Sequence, residues 1–130
     1  MTPSEGRGPR RRVLVVDDEA LLRRSTCRLL EALGHEAVSA ADGAEAEARL
    51  REMPELDVVV LDLLMPGWPV EQTFAALRTL RPAMPIVLCS GVGAGEHAAR
   101  LLEQPFVTQL QKPFTIDELG QVIGAMLSRA

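Results

Sequence analysis

Long apolar runs, clustered cysteines and a basic surface are all missing from this sequence, and each absence closes off a class of protein. The longest uninterrupted apolar stretches, such as Val58-Val59-Val60-Leu61, are of strand length, against roughly 20 residues for a membrane span. No membrane insertion is expected. Arg7, Arg10, Arg11 and Arg12 precede only Val13-Leu14-Val15-Val16, too short for the apolar core of a secretion signal, so the chain reads as cytoplasmic. Cys27 and Cys89 have neither metal-ligand spacing nor the density of a disulfide scaffold, and read as buried thiols in a reducing compartment.

Net charge is −4. Residues 1–12 hold four Arg and one Glu, so the remainder carries 10 basic and 17 acidic residues, a net −7. An acidic body argues against direct nucleic-acid binding, because affinity for a phosphate backbone comes from clustered Lys and Arg. Residues 1–11, rich in Arg, Gly and Pro, read as a flexible leader. Residues 12–130 read as the folded domain.

What is present suits one ordinary globular domain: 130 residues, 47% apolar and 25% charged, enough to close a core without disulfide or metal staples. Five short apolar runs alternate with helical patterns, the rhythm of a parallel α/β sheet whose strands are buried on both faces. Val13–Val16 is the first predicted strand. A helix follows from Glu19 to about Leu33, with Leu22, Leu29, Leu30 and Leu33 on one face and Gly34 as its stop. A weak edge strand is expected around Glu36–Ser39. Asp42-Gly43-Ala44-Glu45 has capping-box spacing and opens a helix that places Ala46, Leu50 and Met53 on one face before Pro54. Val58–Asp62 is the third strand, followed by a loop containing Met65-Pro66-Gly67-Trp68-Pro69 and a helix carrying Val70, Phe74 and Leu77. Strand four is Ile86–Ser90. A glycine-rich loop, a short helix from about Glu96 to Glu103 and strand five at about Phe106–Gln111 come next. Thr115-Ile116-Asp117-Glu118 is a capping box for a last helix carrying Ile116, Leu119, Ile123, Met126 and Leu127.

In open α/β sheets, ligands collect beyond the carboxyl ends of the strands. There strand one ends in Asp17-Asp18, strand three in Asp62 and strand four in Ser90, while Lys112 follows strand five. Three carboxylates in one crevice repel one another unless a hard cation or raised pKa values relieve them. Magnesium suits them, since it takes oxygen ligands, uses few carboxylates and shares its shell with a phosphate; Mn2+ is the alternative. Lys112 adds a fixed positive charge and Ser90 a hydroxyl donor. The set fits phosphoryl transfer to a carboxylate: a nucleophile, a neutralising cation and donors for the phosphoryl oxygens. Singly, each residue has a plainer reading. Asp18 could be a helix cap, Ser90 a turn residue and Lys112 a surface charge; Cys89 suits strand packing and Trp68 a partly exposed loop.

Val13-Leu14-Val15-Val16-Asp17-Asp18-Glu19, Asp62-Leu63-Leu64-Met65-Pro66-Gly67, Ser90-Gly91 and Lys112-Pro113-Phe114 together resemble the receiver domain of two-component response regulators, over residues 12 to 129. The resemblance implies a flavodoxin-like (βα)5 three-layer sandwich with strand order 2-1-3-4-5. It implies that Asp62 accepts a phosphoryl group from a phosphohistidine of a sensor histidine kinase or phosphotransfer protein. By the same resemblance Asp18 and Asp62 contact Mg2+, Asp17 acts through its waters, and the backbone carbonyl of Leu64 completes the protein ligands. Ser90 and Lys112 would hold phosphoryl oxygens, the Lys112–Pro113 peptide would be cis, and the domain would be a monomer or a phosphorylation-linked dimer. It would catalyse only its own phosphorylation and dephosphorylation. The phrase Leu110-Gln111-Lys112-Pro113-Phe114-Thr115 is closest to the receiver of hybrid sensor histidine kinases.

Three features depart from the family pattern. Gln109 stands where an aromatic residue is usual, so a relay through an aromatic rotamer is not expected. Trp68-Pro69-Val70 replaces a loop that usually carries a small or acidic residue and then glycine. Leu64 and Val92 occupy positions that tune phosphate lifetime, and neither can orient a water, which predicts slow self-dephosphorylation. Two rival readings exist. A phosphatase with an aspartyl-phosphate intermediate, of the haloacid-dehalogenase type, would need a second Asp at position 64. A binding-only module would not need the full acidic and basic set.

Overall fold

A computed structural model describes residues 10–65, 67–91 and 95–128, with the side chains of residues 95–98 left out. Residues 1–9 of the expected leader, Pro66 and Val92 lie outside the described residues. The chain alternates strictly between strand and helix: β1 (Arg12–Val16), α1 (Ala20–Ala32), β2 (Glu36–Ala40), α2 (Gly43–Glu52), β3 (Val58–Asp62), α3 (Val70–Leu80), β4 (Ile86–Ser90), α4 (Gly95–Leu102), β5 (Val107–Gln111) and α5 (Ile116–Ser128). The five strands are parallel in the order β2-β1-β3-β4-β5, as the flavodoxin-like expectation requires.

Central β3 and β4 are buried at all five positions, because helices cover both faces of a parallel sheet and side chains alternate between them. Leu14, Val16, Val59, Leu61, Ile86 and Leu88 pack with Ala46 and Leu50 of α2, Phe74 and Leu77 of α3, and Leu101 of α4. Val13, Val15, Val58, Val60, Val87, Cys89 and Leu110 pack with Leu30 of α1 and with Leu119, Ile123 and Met126 of α5. The result is three layers. No helix among the described residues is long and apolar enough to cross a membrane.

Local signals hold where they were strongest. Asp42 Oδ1 accepts from the Glu45 N–H at 2.8 Å and caps α2. Thr115 and Glu118 form a reciprocal box, the Glu118 N–H donating to Thr115 Oγ1 at 3.1 Å and the Thr115 N–H to Glu118 Oε1 at 2.9 Å. Gly34, at φ 92°, closes α1 in the left-handed region that favours glycine.

Two expectations change. Leu22 is 43% exposed and the inner face of α1 carries Thr26 and Leu30 instead; at 3.6 residues per turn Leu22 sits about 80° around the helix from Leu30, and Thr26 only about 40°. Strand β5 begins at Val107 because Phe106 has φ 60°, which no strand residue adopts. That corner is held from α3: Arg78 donates from Nη2 to the Pro105 carbonyl at 2.7 Å and from Nη1 to the Met84 carbonyl at 2.6 Å. Its guanidinium also lies over the rings of Phe74 and Phe106, at 5.1 and 6.0 Å from their centroids.

Candidate functional site at the carboxyl edge of the sheet

Each ladder runs one step past its strand and fixes the residue beyond. The Asp17 N–H donates to the Ala40 carbonyl, Leu63 N–H to the Cys89 carbonyl and Lys112 N–H to the Ser90 carbonyl, at 3.1, 3.0 and 2.8 Å. Two-residue alternation then sorts the side chains. Asp17 continues Val13 and Val15, Asp62 continues Val58 and Val60, and Lys112 follows Leu110, so all three belong to the face covered by α1 and α5. Ser90 continues Ile86 and Leu88 on the other face.

The carboxylates of Asp17, Asp18 and Asp62 each offer an oxygen within 4.8 Å of the others. Asp17 and Asp62 are 4% and 8% exposed, while Asp18 is exposed. Lys112 reaches into this cluster with Nζ 3.3 Å from Asp17 Oδ2 and 3.4 Å from Asp62 Oδ1. It is the only lysine in the sequence. The second Asp17 oxygen accepts from the Glu19 N–H at 3.0 Å, and the Asp17 carbonyl accepts from Arg23 Nη1 at 2.8 Å. The residue at the α1 N-cap is Glu19, without a side-chain bond, so capping does not account for Asp18. Leu64 presents its N–H to Asp62 Oδ1 at 3.4 Å and leaves its side chain 54% exposed. The Lys112–Pro113 peptide is cis.

Burial pushes the Asp62 carboxyl above the ordinary carboxylate range; the Lys112 ammonium pulls against this and Asp17 reinforces it, with a net rise. Burial works to lower the Lys112 ammonium, but Asp62 and Asp17 outweigh it and the net shift is upward. Cys89, 3% exposed beside the cluster, has its thiol pushed up to about 12 by burial, so it is a protonated packing group and no nucleophile.

Three carboxylates against one ammonium leave the cluster two negative charges from neutral, which is the charge of one divalent cation. An all-oxygen donor set with one exposed member, open to water, is what Mg2+ accepts. The residues therefore fit a hard divalent ion.

Ser90 is 2% exposed, and its hydroxyl oxygen accepts from Gln109 Nε2 at 2.7 Å. In the sequence Gln109 stands out only as a missing aromatic. The strand alternation that puts Gln109 on the same face as Val107 and Ser90 was available to find it. Arg23, the other unanticipated contact, had no signal of its own in the sequence. Beside the cluster, a groove of about 390 Å³ runs between α1 and the turn after β5, lined by Leu22, Thr26, Leu29, Pro113 and Phe114 as well as Asp17 and Lys112.

The response regulator receiver domain family model matches residues 13–124. The phosphate regulon transcriptional regulatory protein PhoB of Escherichia coli strain K12 is 35% identical over 121 residues, covering 92% of this chain and 52% of PhoB. The sensor kinase CckA of Brucella abortus is 30% identical over 118 residues, covering 90% of this chain and 12% of that protein. A receiver domain protein from Clostridium thermocellum superposes with a TM-score of 0.84 at 26% identity, over 92% of this chain and 95% of that one. The chain spans about half the length of PhoB. With the family matched across all five strands and the acidic cluster in place, the chain belongs to the response regulator receiver domains, the phosphoaspartate switches of two-component systems.

Proposed function

We propose that Asp62 is the phosphoacceptor of this switch, supplied by a phosphohistidine on a sensor histidine kinase or phosphotransfer protein. The observation that carries the reading is the near-burial of the Asp62 carboxylate at the end of β3, 3.4 Å from the sole lysine and within 4.8 Å of two further carboxylates. In the reaction a carboxylate oxygen of Asp62 forms a bond to phosphorus while the phosphorus–nitrogen bond of the donor breaks, and the imidazole keeps the electron pair and takes up a proton. Lys112 is placed to follow charge from the Asp62 oxygen to a phosphoryl oxygen. The Ser90 hydroxyl donates to another. Asp18, Asp62 and the Leu64 backbone carbonyl would hold Mg2+ or Mn2+ directly and Asp17 would act through water, its Oδ1 accepting from the Glu19 N–H. When bound, such an ion would supply neutralisation of phosphoryl charge beside Asp62.

Phosphorylation biases the domain between two conformations, since a ligand shifts an equilibrium by its differential affinity for the two states. Residues 12–130 are the receiver and residues 1–11 a leader. The domain catalyses only its own phosphorylation and dephosphorylation, acts in the cytoplasm as a monomer or phosphorylation-linked dimer, and does not itself bind nucleic acid. Acetyl phosphate with Mg2+, read by intact mass, tests the core of this: one phosphate on the wild type and none on Asp62→Asn is expected. An unlabelled wild type, under conditions that label another receiver, overturns it.

A further inference from the structure

We propose that Gln109 is the positioning residue for the Ser90 hydroxyl, holding it by a directed hydrogen bond; this rests on the reading of Ser90 as a phosphoryl ligand. The bond is short, 2.7 Å from Gln109 Nε2 to Ser90 Oγ, and joins residues 19 apart in sequence. It crosses diagonally between paired strands, since Gln109 is opposite Leu88 and Ser90 is opposite Gln111 in the β4–β5 register. Both side chains occupy the face away from Asp17, Asp62 and Lys112. Gln109 thus approaches the hydroxyl from behind, as seen from the carboxylates.

The direction of that bond matters because a serine hydroxyl has one proton and two lone pairs. With a lone pair occupied by the Gln109 N–H, the Ser90 proton points away from Gln109 and is available to an anion on the site side. Accepting one hydrogen bond also polarises the O–H and strengthens the bond it donates. The residue is suited to this by its position: Ser90 is almost wholly buried while Gln109 is exposed, so the amide links a buried hydroxyl to the surface of β5 through a single contact. A carboxylate of the same reach could only accept. It would draw the Ser90 proton toward itself and away from the phosphoryl group.

The test is a double-mutant cycle on the rate of labelling by acetyl phosphate and Mg2+, read by intact mass, with Gln109→Leu, Gln109→Glu, Ser90→Ala and the Ser90→Ala/Gln109→Leu pair. One hydrogen bond acting through Ser90 predicts a slowing of about threefold to tenfold for Gln109→Leu, at least as much for Gln109→Glu, and no further loss when Gln109→Leu is added to Ser90→Ala. Thermal unfolding of each variant separates this from loss of fold. Equal slowing by Gln109→Leu in both backgrounds, or wild-type rates for Gln109→Leu and Gln109→Glu, overturns the proposal while leaving Asp62 as acceptor. A wild type that takes no phosphate instead removes the reading of the site on which the proposal rests.

Discussion

Replacing Asp62 by Asn should make the metal-free protein more stable, even though it removes an ion pair. The pair lost is Asp62 with Lys112 at 3.4 Å, about 5 kcal/mol of attraction at an effective dielectric of 20. The repulsions relieved are those with Asp17 and Asp18, each within 4.8 Å, at least about 3.5 kcal/mol apiece on the same scale. Repulsion wins by about 2 kcal/mol, and solvent screening of the exposed Asp18 reduces that to about 1 kcal/mol, while the partial exposure of Lys112 weakens the attraction and acts the other way. Asparagine keeps an oxygen for the Leu64 N–H, so no backbone donor is orphaned. Burial adds to the gain, because it disfavours the ionised Asp62. A carboxyl raised in the fold destabilises at neutral pH: as pH rises from its unfolded pKa through the higher folded one, the unfolded chain releases its proton first and stability is lost. Thermal unfolding in EDTA near pH 7 should therefore place Asp62→Asn a few degrees above the wild type, about 3–5 °C for a domain of this size. Adding Mg2+ should reverse the order, because the wild type gains about 2.7 kcal/mol at one hundred times its dissociation constant and the variant, lacking a ligand charge, gains less. A variant that melts below the wild type in EDTA, or an equal Mg2+ effect on both, would refute the balance of charges described here.

Thr73 Oγ1 is buried without a hydrogen-bond partner among the described residues, so Thr73→Val should stabilise the fold by about 1 kcal/mol in urea unfolding. Gly43→Ala should do the reverse, by about 1–3 kcal/mol, since a Cβ there falls on Thr73 Oγ1 and 2.8 Å from Trp68 Cε3. His35 Nδ1 accepts from the Arg11 N–H at 3.2 Å, and burial, then Arg11, hold the imidazole below its ordinary pKa against the pull of Asp57. Its contribution is present above the unfolded-state pKa and lost as pH falls through the lower folded one; unfolding free energy measured against pH should drop more steeply in the wild type than in His35→Gln. Leu64→Gln, which puts an amide beside the site in place of an exposed leucine, should shorten the phosphate lifetime severalfold in a mass-based chase, and an unchanged lifetime would remove position 64 from the account of slow self-dephosphorylation.

Much of the architecture follows from local pattern. Val58–Asp62 and Ile86–Ser90 were legible to the residue because a strand buried on both faces needs an unbroken apolar run. The caps at Asp42 and Thr115 were legible because a capping box closes over four residues. The acidic and basic positions could be assigned to one edge of the sheet once the strands were placed, since parallel strands all end on the same side. Other features depended on longer range. Leu22 looked like core, yet the rotation of α1 was set by where Leu30 and Thr26 meet the sheet. Phe106 looked like strand, yet its left-handed backbone belongs to a corner held by Arg78 from another helix. Composition and spacing alone determined the class of fold and which acidic and basic residues gather at the carboxyl edge of the sheet, because both follow from periodicity and strand direction. Only the tertiary structure decided that Lys112 lies 3.3 Å from Asp17, 95 residues away, and that Gln109 rather than an aromatic ring meets the Ser90 hydroxyl, because such contacts depend on strand register and on which face of the sheet each side chain occupies.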